Sequence, residues 1–485
     1  MTNFIKTDNQ DDEVCDFDVL TSFSVMEQGQ PYPFKSQISR IQAYDLLTKM
    51  SDNEHKALVR EELKIAYPDD VKEIRLILTN QYDNTNEALA DLEYGENPDF
   101  QASEQTAIDD LIKQLDFNDV IACFDSHLKT YGNAVLKLRR ENNIVYIDNI
   151  DPRFWFPVID PMNAKNILGH IIAFDYTEDK KKYVKFEIHT ADKVETRIHL
   201  IKNDKIDALI NIFEANTGIN EPTIIWQKLN PKDIIFSDSD FQKYASIVTS
   251  MEVELSKIGY NLDKQGKIIY GPDTALELDP KTNQYVLRKG KYMALHDNEA
   301  APGVITFDAQ ITASIDYVNK LQEQYYISSG TSAALYALGS INAPSGTALK
   351  RLLQRPLSKA SKLVERIKPR LEKALQLASI LNGKELKNIT SNWKDGLVGD
   401  ETEDTTNYNT RVMGGWMSKK SAIMKMENID DKAAEKELVQ IDTEKQAETV
   451  KALDVLYPPD TNNPNDSGNP DNLNNNTDNK NIGNK

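Results

Sequence analysis

Hydrophobic positions follow a helical period in the first quarter of the chain. Apolar residues recur every three or four positions over residues 36–67 and again over 106–132. Both stretches are therefore predicted to be helical. Gly132 is predicted to end the second one, because glycine is a common helix stop.

The period then shortens, and the residue types change with it. From about residue 130 to 235, Asn, Asp, Pro and Gly separate short runs of β-branched and aromatic residues. The runs are NAVLKLRR, NNIVYIDNI, FWFPVID, HIIAFDY, KYVKFEIHT and ETRIHLI. Such runs are typical of an antiparallel sheet, so a β-rich layer is predicted beside the N-terminal helices.

A helix, a small β insertion and a second helix come next. Residues 237–262 have helical spacing with Ser and Asp at the start, 263–307 alternate short strand-like runs with turns, and 308–329 are helical again. This order predicts one compact excursion that leaves a body and returns to it. The segment 330–346 that follows is small and apolar.

A long basic helix is predicted over residues 347–383. Its 37 residues carry an apolar stripe and would span roughly 55 Å. Between Lys350 and Lys387, eleven Lys or Arg stand against three Glu, a net charge of +8. Pro356 and Pro369 are expected to bend the helix without ending it, because the stripe continues through both. A kinked core helix with a solvated basic face would also explain this pattern.

The C-terminal residues are predicted to combine a strand, a loop and two helices. LKNIT is strand-like, GDETEDTT is interpreted as an acidic loop, and helices are predicted from Ser418 and from about Asp430. Residues 457–485 are rich in Asn and Asp and are predicted to be disordered. Residues 1–29 are predicted to form a loosely ordered arm.

Composition limits the class of protein. A chain of 485 residues predicts two or three packed modules. Its net charge of -19 argues against gripping nucleic acid over the whole surface, although nucleic acid could still slide past. Cys15 and Cys123 match no metal or redox spacing, no secretory leader opens the chain, and no apolar run approaches the roughly 20 residues that span a bilayer. We therefore expect a soluble cytoplasmic protein without a membrane partner.

Common catalytic and metal-binding motifs are absent from the sequence. It has no GxxxxGK[ST] phosphate loop, no HExxH and no GxSxG nucleophile elbow, and its six histidines show no ligand spacing. Asp238 and Asp240 are interpreted as helix-start acids that the helix dipole favours. The sequence therefore predicts a structural or conduit protein that is not an enzyme and has no metal or cofactor.

Four stretches carry a resemblance to a known family. They are YGNAVLKL with the IDNIDPRFWFPVID that follows it, SDSDFQKYASIVTSMEVELSKIGYNL, NAPSGTALKRLL, and MSKKSAIMKMENIDDKAAEKELVQIDTE. In this order they resemble the portal proteins of tailed double-stranded DNA phages, specifically of long-tailed phages of Gram-positive hosts. NAPSGTALKRLL is the most specific, whereas Ser421 stands where the family usually has Thr. The likeness covers about residues 30–455.

The resemblance implies an α+β portal fold with a β-rich wing, a two-helix stem, a small α/β clip, a long kinked helix and a helical crown. The implied segments are an arm (1–29), the wing (30–236), stem helix 1 (237–262), the clip (263–307), stem helix 2 (308–329), the tunnel loop (330–346), the long helix (347–383), a wing return (384–412), the crown (413–456) and a disordered tail (457–485).

The resemblance also implies a function. Twelve copies would form a ring at one capsid vertex, and the large terminase subunit would package double-stranded DNA through its channel, from which the DNA would later be ejected. A head-completion adaptor protein would dock to the ring, and major capsid and scaffolding proteins would contact the wing. The ring would assemble in the host cytoplasm and become part of the virion, at the portal vertex.

Three sets of residues follow from the resemblance. Residues of the tunnel loop at the DNA channel would be Ala333, Ala334, Leu335, Tyr336, Ala337, Leu338, Ser340 and Asn342. The start and the kinks of the long helix would be Ser345, Gly346, Pro356 and Pro369. Candidates for the subunit interface are Lys350, Arg351, Arg355, Lys359, Lys362 and Arg366. For Tyr336 and Leu338, burial under a loop is the alternative to facing the channel.

Two other classes remain open at this point. One is an enzyme that acts on DNA or nucleotides and is built on the β-rich middle, which predicts carboxylates and histidine converging in a pocket. The other is an interaction scaffold unrelated to DNA. A ring with an axial hole would separate the portal interpretation from both.

Overall fold

The structure is a computed structural model that describes residues 19–231, 235–264, 268–272, 277–278, 285–286, 291–295, 303–305, 309–336, 351–393, 401–427, 429 and 431–456. The chain divides into two compact units, Met1–Leu397 and Val398–Lys485, and each is described by itself. The first eighteen residues of the predicted arm and the predicted tail at 457–485 lie outside the described residues.

The first unit mixes helices with short sheets, which confirms the predicted α+β class. Its helices are α1 (Ile38–Ser51), α2 (Lys56–Ala66), α3 (Gln81–Tyr94), α4 (Gln105–Gln114), α5 (Phe117–Tyr131), α6 (Ala245–Lys264), α7 (Ala309–Ser329) and α8 (Gln354–Leu381). Its strands are β1 (Asp99–Gln101), β2 (Asn133–Glu141), β3 (Ile144–Ile150), β4 (Trp155–Asp160), β5 (Asn163–Glu178), β6 (Lys181–His189), β7 (Lys193–Lys202), β8 (Lys205–Asn216), β9 (Ile224–Lys228), β10 (Ile268–Pro272), β11 (Glu277–Leu278), β12 (Tyr285–Val286), β13 (Lys291–Leu295), β14 (Gly303–Ile305) and β15 (Thr390–Asn392).

Both predicted N-terminal helical stretches are divided by a break. Residues 36–67 contain α1 and α2, and residues 106–132 contain most of α4 and all of α5, with Asp116 between them at a left-handed φ of 46°. Gly132 ends α5 as predicted, at φ 79°, and a Cβ atom there would lie only 2.1 Å from the Ser237 carbonyl oxygen. Both the backbone and this neighbour therefore require glycine.

The predicted antiparallel layer is confirmed, but it consists of two sheets. One has the strand order β4-β5-β6-β7-β8 and the other β3-β2-β9. The strands β8 and β9 lie beyond the six runs predicted as strands. The strand predicted near residue 390 is β15, which pairs antiparallel with β1 and so brings the chain after α8 back to the N-terminal region.

Aromatic rings and a histidine lie between these two sheets. The buried Trp155 ring lies 5.6 Å from the Trp226 ring, and its Nε1 donates a hydrogen bond to His170 Nδ1 over 3.1 Å. Burial, with a smaller contribution from His189, lowers the pKa of His170 to about 3. His170 is therefore neutral in the folded protein at neutral pH, which its role as an acceptor requires.

Residues 19–29 are part of the fold, so the predicted loosely ordered arm is wrong for them. Leu20 forms a bridge with Val158 of the edge strand β4, and Met26 is fully buried. The Gly29 N–H donates to the Ile206 carbonyl oxygen over 2.7 Å. Leu20 and Met26 belong to the hydrophobic cluster of the five-stranded sheet, a role that the polar composition of the arm conceals.

The long basic helix α8 begins later and is shorter than predicted. It contains 28 residues, or about 42 Å. Pro356 lies in its first turn, directly after a break at Leu353 that separates α8 from the helical residues 351 and 352. The bend predicted at Pro356 stays a prediction. Pro369 lies inside the helix, as predicted. The apolar face of α8 packs with α4, α5 and the β3-β2-β9 sheet in one core.

The helices α6 and α7 flank the predicted β insertion and contact each other. In the described part of the insertion, β10 pairs parallel with β13 and antiparallel with β14. A buried carboxylate fastens α6 to the N-terminal region, because Glu252 hydrogen-bonds His55 Nε2 over 2.8 Å and accepts the Thr79 N–H over 2.9 Å.

The second unit is helical in its described part. It contains α9 (Glu401–Met413), α10 (Lys419–Met426) and α11 (Asp431–Leu456). The predicted acidic loop is wrong from Glu401 onward, where α9 begins. The predicted helix start at Ser418 is confirmed, since its Oγ accepts the Ser421 N–H over 3.1 Å. The start of α11 at Asp431 also agrees with the prediction.

Replacing His170 with Asn tests the buried histidine. Asn keeps an amide oxygen that can accept from Trp155, but it does not titrate. The unfolded chain binds a proton at His170 near pH 6.5 and the folded chain only near pH 3. As the pH is lowered from 6.5 to 3, the free energy of unfolding of the wild type should therefore decrease. His170 contributes at most about 1.4 kcal/mol per pH unit to this decrease. Urea unfolding from pH 6.5 to pH 3 should show a smaller loss of stability for His170→Asn than for the wild type. Equal losses of stability in the two proteins would contradict the prediction.

Candidate functional site: the lysine hub and the basic cleft

Lys359, in the second turn of α8, joins three parts of the first unit. Its Nζ forms an ion pair with one oxygen of Asp240 and donates to the Ser329 carbonyl oxygen over 2.6 Å. Lys243 Nζ lies 2.7 Å from the other carboxylate oxygen of Asp240. Asp240 precedes α6 and Ser329 is the last residue of α7. We call the contacts of Lys359 with Asp240 and Ser329 the lysine hub.

The lysine hub is a charged pair in a buried place. Asp240 is only 1% exposed. Burial alone would raise the pKa of its carboxyl group, but Lys359 and Lys243 outweigh burial and hold that pKa below its ordinary value. Burial lowers the pKa of Lys359, and the Asp240 carboxylate opposes this shift. Asp240 stands at a helix start, as interpreted, because it precedes the 3₁₀ turn Phe241–Lys243, but its carboxylate binds lysines and makes no capping bond to that turn.

Two arginines of α8 bind carbonyl oxygens on either side of the hub. Arg355 donates to the Ile327 carbonyl oxygen over 2.6 Å, and Arg366 donates to the Leu229 carbonyl oxygen. The last carbonyl groups of a helix have no intrahelical partner and carry the negative end of the helix dipole. Arg355 and the hub therefore cap α7 at its C-terminus.

The chain just after α7 is held at a second point. Residues Ala333–Tyr336 form a short 3₁₀ turn, and the Tyr336 hydroxyl lies 3.1 Å from the Tyr325 hydroxyl. The Tyr325 hydroxyl also forms a hydrogen bond with Thr85 of α3. We call this chain of three hydroxyl groups the hydroxyl latch. It connects the 3₁₀ turn to α7 and α3.

The hydroxyl latch rests on a buried aromatic cluster. The Tyr82 ring lies 5.0 Å from Phe241 and 5.8 Å from Tyr244, and Tyr244 lies 5.5 Å from Tyr325 in an edge-to-face arrangement. Burial is the main cause that raises the pKa of Tyr244 and Tyr325 above the ordinary value of tyrosine, so both hydroxyls stay neutral. These rings pack α3, α6 and α7 into one platform.

A cleft of about 780 Å³ opens beside the hub, and we call it the basic cleft. Gly330 and Arg351 both line it, so it lies where the chain between α7 and α8 leaves the body and rejoins it. The charged residues in the described part of its lining are the cations Lys243, Arg351, Arg355, Lys359, Lys362 and Arg366 and the carboxylates Asp238 and Asp240. These described residues have a net charge of +4, and the N-terminus of α8 adds the positive end of its dipole.

Apart from Pro356 and Pro369 of α8, the predicted site residues divide into three groups. Ala333, Ala334, Leu335 and Tyr336 form the 3₁₀ turn, and their contact with a channel stays a prediction. Ala337, Leu338, Ser340, Asn342, Ser345, Gly346 and Lys350 lie outside the described residues. The five remaining cations line the basic cleft. Among these, Lys359 has partners within its own chain, so its ammonium is not available for a neighbouring subunit.

The sequence does not single out the partners that hold this site. Asp240 and Lys359 lie 119 residues apart, and Thr85 and Tyr325 lie 240 apart, so no local pattern connects either pair. The sequence signal that points to this region is the high density of Lys and Arg in α8.

The described residues do not assemble a metal site or a membrane span. Within the described ranges, no group of three His, Cys, Asp or Glu side chains could hold a metal ion. No helix in these ranges combines the length and the apolar character needed to cross a bilayer.

Comparisons with known proteins are consistent with these features. The family model described as "Phage portal protein, SPP1 Gp6-like" matches residues 36–451. No curated protein matches the chain.

Chains from solved structures of gene transfer agent (GTA) particles also match, at low identity. A chain of the "Neck of empty GTA particle computed with C6 symmetry" is 13% identical, with 72% of this chain and 90% of that chain covered and a TM-score of 0.45. A chain of the "Virion of native gene transfer agent (GTA) particle" is 13% identical, with 71% and 88% covered and a TM-score of 0.40. A chain of the "Neck of native GTA particle computed with C12 symmetry" is 12% identical, with 73% and 95% covered and a TM-score of 0.40.

The family match extends over most of the chain and includes the hub, the latch and the basic cleft. It assigns the chain to the structural proteins of phage virions, and so confirms the prediction that it is not an enzyme. The chain belongs to the phage portal protein family, SPP1 Gp6-like.

Replacing Lys359 with Met tests the lysine hub. The variant keeps the unbranched side chain but leaves Asp240 with Lys243 alone and Ser329 without its donor, so the free energy of unfolding should fall by about 2–4 kcal/mol. The matched control is Lys362→Met, which changes an exposed lysine of the same cleft and should cost less than about 0.5 kcal/mol. Chemical denaturation measures both, and equal losses would contradict the hub.

Replacing Tyr336 with Phe tests the hydroxyl latch. The ring stays and one hydroxyl is lost, so global stability should fall by only about 1 kcal/mol. Limited proteolysis between residues 330 and 353 should become several-fold faster, because the turn loses its bond to α7. The control is Tyr326→Phe, which removes a neighbouring hydroxyl that bonds Gln322 instead. If the two variants are cleaved at the same rate, the latch does not hold this segment.

Proposed function

We propose that this chain forms the portal ring at one vertex of a phage capsid, with a channel through which double-stranded DNA is packaged and later ejected. The observation that carries the proposal is the portal-family match over residues 36–451, which contains all of α6, α7, α8 and the chain between them. Twelve copies make the ring, the number that the family resemblance implies.

The charge distribution of the chain suits a conduit. Each phosphate that Lys or Arg neutralises adds salt-dependent affinity for DNA, which helps a binder and hinders a channel. The chain has a net charge of -19, and residues 330–346, the proposed tunnel loop, contain no Asp, Glu, Lys or Arg. A passing duplex would therefore meet few attractive contacts from this loop.

The lysine hub and the hydroxyl latch give the proposed tunnel loop a fixed base. The hub and Arg355 hold the end of α7, from which the loop starts, and the latch holds Tyr336. A loop that contacts moving DNA experiences a force along the channel. Anchors at the base of the loop would let it yield to this force without displacing α7 and α8.

The proposed partners contact other parts of the chain. The β insertion between α6 and α7 is the clip, which binds the large terminase subunit during packaging and the head-completion adaptor afterwards. The wing, which contains the two antiparallel sheets, faces major capsid and scaffolding proteins. The ring forms in the host cytoplasm before it becomes part of the virion.

Electron microscopy of the purified protein, with its mass in solution, tests the ring. We expect rings of twelve copies with an axial channel wide enough for duplex DNA. A closed head-to-tail ring requires two different surfaces of each copy to meet. A globular monomer or dimer without a channel would contradict the proposal.

Replacing residues 333–338 by a Gly/Ser sequence of equal length tests the tunnel loop. The lysine hub and the Arg355 bond remain, although the latch is lost with Tyr336. Rings should therefore still form, but capsids assembled with the variant should package or retain less DNA. Nuclease-protected DNA per capsid is the measurement. The control is a Gly/Ser replacement of residues 203 and 204, the turn between β7 and β8. Normal DNA content in the loop variant would contradict the role of the loop.

A further inference from the structure

Among the residues that the structure describes, the lining of the basic cleft has more cations than carboxylates. Its described carboxylates are Asp238 and Asp240, and Asp240 already pairs with both Lys243 and Lys359. Arg355 and Arg366 bind carbonyl oxygens, which carry no net charge. Like charges in a concave, partly dry site repel each other more strongly than on an open surface. A cleft of this kind is therefore suited to an anionic occupant.

Arg351 and Lys362 are the cations that this occupant would meet first. Both line the cleft, and both are exposed. Among the described residues, neither has an ion pair with a carboxylate in its own chain. An Arg guanidinium binds a carboxylate through two parallel hydrogen bonds, and a lysine beside it adds a point charge.

Carboxylates fit the cleft better than the phosphates of duplex DNA. A duplex displays its phosphates on a stiff convex surface, whereas the cleft is a concave space of about 780 Å³ with the carboxylates Asp238 and Asp240 in its lining. A side chain from a protein can enter such a space. The chain itself has 76 Asp and Glu against 57 Lys and Arg, so a second copy has more carboxylates than cations to offer.

We propose that the basic cleft binds an acidic segment from a second copy of this chain, whose carboxylates pair with Arg351 and Lys362. This inference rests on the proposed ring. It adds the chemistry of one of the two surfaces through which neighbouring copies would meet. Because the cleft lies at the base of the proposed tunnel loop, an occupied cleft would connect the position of one loop to the neighbouring copy.

Cross-linking with mixed isotopes tests the occupant. Unlabelled and ¹⁵N-labelled full-length protein are assembled together and treated with a carbodiimide, which joins a lysine to a carboxylate in direct contact. We expect peptides that link Lys362 of one label to an Asp or Glu of the other. Lys368, on the same helix but outside the cleft lining, is the control and should give far fewer such links. Same-label links only, or none at Lys362, would overturn the proposal.

Charge reversal provides a second, independent measurement. The double variant Arg351→Glu/Lys362→Glu should reduce the fraction of protein in rings at least tenfold at a concentration near the midpoint of wild-type assembly. Lys368→Glu/Arg370→Glu is the matched control, and thermal unfolding checks that both variants fold. Normal rings with weakened binding of duplex DNA would overturn the proposal in favour of phosphate.

The outcome for the wild type separates the two proposals. Wild-type rings without links between copies at Lys362 would overturn this inference alone. A wild type that forms no ring would contradict the proposed function, and Lys362 links between copies in a smaller assembly would still support the acidic partner.

Discussion

The buried ion pair between Lys359 and Asp240 is the contact on which the arrangement of α6, α7 and α8 depends. It joins the start of α8 to the chain before α6, and the Ser329 carbonyl brings the end of α7 to the same ammonium. Removing two charges from water costs several kcal/mol, and their attraction returns this only in good geometry. Such a pair adds little net stability compared with an apolar contact. However, an alignment of α6, α7 and α8 that separated the two charges would leave them buried and unpaired, at a cost of several kcal/mol.

The same principle recurs where other helices meet. Glu252 on α6 binds His55 and the backbone before α3, and Lys129 on α5 lies 3.2 Å from Glu93 of α3, with both side chains almost fully buried. Each contact links segments that are distant in sequence. The hydrophobic clusters supply the driving force for folding, and these polar contacts fix which faces meet.

Local features were the predictable part of this fold. The strands could be predicted from runs of β-branched residues. The C-terminus of α5 could be predicted from Gly132 and the N-terminus of α10 from Ser418, because each of these signals acts over a few residues. The features that sequence did not reveal depend on distant contacts. The helix predicted from residue 237 begins only at Ala245, and Asp240 bonds Lys129 and Lys359 before that start. Leu20 and Met26 pack in the hydrophobic cluster of the five-stranded sheet, which holds residues 19–29 to the fold. Family resemblance indicated the portal class, but it could not reveal the hub, the latch or the cleft.

The described contacts that anchor the chain between α7 and α8 involve residues up to Tyr336 and from Arg355 onward. These attachment points use side chains of α7, of α8 and of the 3₁₀ turn that follows α7. In engineering terms, a fluorescent or photoreactive amino acid at Ala334 of that turn would report on this part of the chain while the hydroxyl latch and the lysine hub keep their contacts.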